Sequence, residues 1–124
     1  MPMPVSLYRV QDAAGRGPWR PGLSSQWIDD DGPPLPETVA DLVDPRLFQR
    51  LPGHCGCACR SLAVLMSWFT SIERVRLAGL GFHPVMLRPD VIIAESPLQV
   101  VFMRLRPLAD GVVRRRWEIG NQCR

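Results

Sequence analysis

The chain has 124 residues, 46% of them apolar and 22% charged, the size and make-up of one ordinary folded domain with its own core. Lysine is absent, so all 15 strongly basic residues are arginine, and a formal net charge of +3 is too small an excess to argue for nucleic acid as a partner. No window reaches the length of a membrane span, and the opening MPMPVSLYRV lacks the charged flank and long apolar stretch of a secretory signal. A cytoplasmic location is therefore expected, where the four cysteines stay reduced rather than forming a disulfide framework.

In chain order, VSLYRVQD has the β-branched and aromatic character of a first strand, with Val5, Leu7 and Arg9 on one face and Tyr8 and Val10 on the other. Residues 11–36 follow as a long loop crowded with Gly and Pro, yet carrying Trp19 and Trp27, whose indoles must fold back over the domain or lie beside a ligand. PETVADLVDPRLFQRL reads as helical and is interrupted at Asp44-Pro45, a good cap and first-turn pair for a second short helix through Leu51. After the cysteine-rich HCGCAC, the run SLAVLMSWF predicts a buried helix capped by Ser61. Thr70 and Glu73 have capping-box spacing for the next helix, which Gly79 or Gly81 ends.

The final third changes character. Three β-rich runs, Pro84 to Arg88, Val91 to Ala94 and Leu98 to Leu105, are punctuated by Pro89 and Pro97, and residues 107–124 form a basic C-terminal strand or tail around Arg114, Arg115 and Arg116. Helices in the middle and strands at both ends predict a single α+β domain over residues 1–124.

Cys55, Cys57 and Cys59 alternate behind His54, which poses three readings: core, metal or reactive thiol. Two thiolates on one zinc lie at most about 4.6 Å apart, whereas an extended segment separates Cys55 from Cys59 by about 13 Å. Zinc on His54, Cys55, Cys57 and Cys59 thus needs a curled backbone or ligands from elsewhere, such as His83 or Cys123, and packing is the favoured reading. A reactive thiol would need a base nearby, from His54 or His83.

The order of motifs resembles the small ADP-ribosyltransferase-like fold: an early strand bearing Tyr8-Arg9, a Gly-rich strand running into Ser61 and an apolar helix, and a late strand entered through ESPLQVVF. The pattern also resembles short phage and prophage proteins. The resemblance implies two small abutting antiparallel sheets with an NAD-binding cleft between them. Arg9 would pair with a phosphate through its planar fork, Ser61 would hydrogen-bond the ribose or nicotinamide side, and Trp19 or Trp27 would cover the ring. A carboxylate would stabilise the oxocarbenium-like state, but Gln99 stands at the family's acidic position, so activity would require Glu95 to reach the same place.

The plain structural alternative makes Arg9 a surface ion pair, Ser61 a cap, Glu95 a turn residue and Gln99 an edge-strand polar group. Two functional rivals complete the expectations. One is a non-enzymatic phage inhibitor that binds a host defence protein, for example an anti-CRISPR, through its aromatic loop and arginine-rich tail. The other is a zinc-stabilised interaction domain.

Overall fold

The computed structural model describes residues 5–18, 23, 26, 44–106 and 109–113. Trp19, Trp27, the Pro36 to Val43 part of the expected helix, the arginines of the tail and Cys123 lie outside them. Strand β1 spans Leu7–Gln11, a 3₁₀ helix spans Pro45–Arg50, and β2 spans His54–Ala58. Two helices follow, α1 at Leu62–Ser67 and α2 at Ser71–Gly79, then β3 at His83–Leu87, β4 at Val91–Glu95, β5 at Val100–Arg104 and β6 at Gly111–Val112. The strands form two antiparallel sheets, one ordered β1-β3-β6 and the other β2-β5-β4. This is the α+β arrangement expected, with the helices in the middle of the chain.

Local chemistry sets the element ends. Asp44 accepts the Arg46 backbone N–H at 3.0 Å, so the cap lies where the sequence put it, although the turn it starts is 3₁₀. Ser61 Oγ accepts the Val64 N–H at 3.3 Å and opens α1. Thr70 and Glu73 form a full capping box, with bonds of 3.1 and 2.9 Å. At the other end of α2, Gly81 has φ +88, and the Gly81 and Phe82 N–H groups donate to Ala78 and Leu77 at 3.1 and 2.8 Å, a Schellman closure. The expectation of a buried α1 needs correction. Leu65 is its buried residue, and Val64 remains 37% exposed, because one side of this short helix packs on the sheet and the other does not.

Two apolar clusters lie on opposite faces of β1. Val10 joins Cys59, Leu65, Phe69, Leu77 and Phe82 beneath the helices. Leu7 joins Ala58, Leu87, Val100 and Phe102 between the sheets. That split follows from the alternation of side chains along a strand. Central strand β5 is buried at all five positions, as expected of a strand flanked on both edges.

Besides this apolar packing, polar joints link the sheets among the described residues. Tyr8 and Cys59 exchange backbone hydrogen bonds of 2.7 Å in each direction, stitching β1 to the end of β2. Elsewhere Asp110, just before β6, accepts from Arg104 of β5 at 2.9 and 3.2 Å and from the Arg88 N–H, just past β3, at 2.7 Å.

Candidate functional site

Gly56 on β2 lies directly opposite Phe102 on β5, so the space a side chain would fill beside the ring is open. The Arg9 guanidinium occupies it. Its Cζ lies 5.6 Å from the Phe102 ring centroid, in cation–π range, and a Cβ on Gly56 would collide with Nη1. On another side, a Cβ on Gly17 would stand 2.9 Å from Nη2. Arg9 thus passes between two glycines, each needed there for close approach.

The guanidinium is not the surface ion pair of the plain alternative. Its Nε is shut off from solvent and has no hydrogen-bond partner, and among the described residues no carboxylate pairs with it. The carboxylate of Asp12, close in sequence, is engaged by its own turn, accepting from Ala14 and Arg16 N–H groups at 3.0 and 2.9 Å. Burial pulls the Arg9 pKa down, while Cys57 and Asp12 act in the opposite direction without cancelling the effect. Arginine still stays charged at neutral pH. Arg9 as a residue is only half-buried, yet its Nε is cut off from water without an acceptor, a costly arrangement for that one donor.

Arg9 lines a cleft of about 30 Å³ between the two sheets, with Gln11, His54, Phe102, Arg104 and Arg106 among its walls. Arg104 is 4% exposed, and its Nε is likewise buried and unpartnered. Two orphaned guanidinium N–H donors therefore belong to residues that line one small space. Asp110 holds the other nitrogens of Arg104 and touches Arg106. Burial pushes the Asp110 carboxyl up, but the Arg88 N–H, Arg104 and Arg106 outweigh it and hold it below the usual carboxylate range.

The other polar candidates sit elsewhere. Ser61, Glu95 and Gln99 come together around a second cleft of about 130 Å³, with Arg60, Ser96 and Leu98. Arg9 does not line it. Ser61 is occupied as a helix cap, and Gln99 is buried at 3% exposure. Glu95 is bound in a two-pronged ion pair with Arg60, Arg60 Nη2 donating to Oε1 at 2.8 Å and Nε to Oε2, which holds its pKa below normal. Drug-sized ligands are usually enclosed in roughly 300–1,000 Å³. Neither cleft encloses a whole dinucleotide among the described residues.

The cysteine strand is extended, as β2. Among the described residues no group of three His, Cys, Asp or Glu side chains is placed to hold a metal ion. Burial, with Cys57 adding to it, pushes the Cys59 thiol up to about 12, and that thiol donates to the Leu98 carbonyl at 3.7 Å. Burial also raises the Cys55 thiol. Neither carries the depressed pKa of an activated nucleophile. Among the described residues, no helix is long and apolar enough to cross a membrane.

Sequence reasoning missed Arg104 and Arg106 as companions of Arg9. The signal available was the arginine at every second position of FMRLRP, which puts two guanidinium groups at one strand end.

No curated protein and no solved structure matches the chain. A family model described as Bacteriophage T4 Y00F protein matches residues 3–108. That span covers β1 through β5 and both sheet joints short of Asp110. The phage resemblance read from the sequence is thereby supported, and the chain belongs to the Bacteriophage T4 Y00F protein family.

Proposed function

We propose that this protein binds a phosphate-bearing ligand in the cleft between its sheets, without turning it over, and that NAD is the first ligand to test. The observation that carries the reading is that Arg9, which no carboxylate pairs among the described residues, lines a single cleft with Arg104 and Arg106. A phosphate oxygen is the acceptor that planar guanidinium donors match best, and it also supplies the countercharge that Arg9 lacks among the described residues. The small volume means that the ligand is held by its phosphates, while its nucleoside parts extend beyond the cleft.

NAD comes forward because of the resemblance to the ADP-ribosyltransferase-like fold. Two abutting sheets, Arg9 on the first strand, Ser61 after β2 and Gln99 just before β5 are in keeping with it. Catalysis is the weaker half of that resemblance. Gln99 brings no negative charge, and the Glu95 carboxylate is already neutralised by Arg60. Binding without transfer fits these two side chains better than ADP-ribosylation does.

Calorimetric titration with NAD, alongside inorganic phosphate, tests the reading. Binding of both by the native chain is expected, with Arg9→Gln weakening each by about tenfold or more, the loss of one charge-assisted contact of roughly 1.5–3 kcal/mol. Nicotinamide release is expected to stay at background. No heat from NAD at millimolar concentration would remove the dinucleotide, and silence from phosphate as well would remove the anion.

A further inference from the structure

The three arginines of the inter-sheet cleft are held very differently. Arg9 is fixed between Gly17 and Gly56 over the ring of Phe102. Arg104 has a side chain only 5% exposed and makes two bonds to Asp110, at 2.9 and 3.2 Å. Arg106 has a side chain 76% exposed and reaches Asp110 through one contact of 3.5 Å, the outer limit of a hydrogen bond. Asp110 loses little if Arg106 leaves, since it keeps both Arg104 bonds and the Arg88 N–H. An exposed ion pair at that distance contributes little to stability and holds the side chain weakly.

Resting on the anion reading above, we propose that Arg106 makes the cleft select ligands with two linked phosphates over ligands with one. The first phosphate meets Arg9 at the cleft, beside Arg104. The second lies toward the cleft rim, where Arg106 exchanges its long contact with Asp110 for a charge-assisted pair with phosphate oxygen. The ligand class is thus a diphosphate, whether free or part of a nucleotide.

The experiment compares inorganic pyrophosphate with inorganic phosphate on the full chain, by calorimetry in one buffer of fixed ionic strength. Native protein is expected to prefer pyrophosphate by about tenfold, the contribution of one added charge-assisted contact. Arg106→Gln should bring that preference close to unity by weakening pyrophosphate far more than phosphate, with its melting temperature at the native value because the side chain is exposed. Arg46→Gln, which removes an exposed guanidinium away from the cleft, controls for bulk charge and should leave the preference intact. An undiminished preference in Arg106→Gln, or an equal loss in Arg46→Gln, overturns the selectivity role while the anion site stands. If the native chain binds neither anion, the site itself falls.

Discussion

A guanidinium fills the place of a missing side chain at Gly56, and that single substitution of one residue's space by another's governs the site. Gly56→Ala should move Arg9 rather than unfold the protein, because the methyl meets the end of a flexible side chain. We expect a stability change within about 1 kcal/mol by thermal melting, together with a loss of about tenfold in pyrophosphate affinity from the displaced donor. Unaltered affinity in a folded variant would separate Arg9 from binding. The sequence reading placed Arg9 on the first strand and Gly56 within a Gly-rich strand running into Ser61. It could not join them, since local patterns carry no information about which strand lies across from which. Cys59 is the reverse case. Its small apolar character was legible directly, and its burial in the cluster under the helices follows from that character.

At the scale of elements, the ends were more legible than the faces. Thr70, Glu73 and Gly81 act through bonds within a few residues, so spacing alone located α2. Thr70→Ala is expected to destabilise the fold by about 1 kcal/mol, read as a lower urea midpoint with an unchanged slope. A midpoint equal to the native value would mean that the capping box contributes nothing in solution. Gly81→Ala should cost a similar amount, because φ +88 is strained for any residue with a Cβ. Burial of α1 was misjudged for a physical reason. An apolar run such as LAVLMS states what would prefer to be covered, and only tertiary packing decides which side of the helix is. The 3₁₀ turn after Asp44 was likewise legible as a capped start and not in its hydrogen-bond period.

Among the described residues, a joint of backbone and a joint of charge link the two sheets, with the Leu7 cluster packed between them. The α+β class was readable from the clustering of β-rich runs at the chain ends, two abutting antiparallel sheets were implied only as a resemblance, and the strand orders β1-β3-β6 and β2-β5-β4 were not legible. Pairing between distant strands is decided by the summed burial of both faces, which no single run encodes. The charged joint makes stability depend on acid. The Asp110 pKa is lowered in the folded state from an ordinary 3.8, so its contribution is complete above that value and is lost as pH falls through the lower folded one. Asp110→Asn should lower stability by about 2 kcal/mol at neutral pH, leaving Arg104 short of its counterion, and the two melting curves should converge as pH drops below the carboxylate range. A constant gap down to strong acid would assign the effect to packing instead.

The central claim is that Arg9 and Arg104 together accept an anion between the sheets, and the most direct measurement is NMR of the arginine Nε–H groups during titration with pyrophosphate. The Arg9 and Arg104 signals should shift together and saturate at one ligand per chain, while that of Arg46 stays in place. Stationary Arg9 and Arg104 signals through millimolar pyrophosphate would contradict the account.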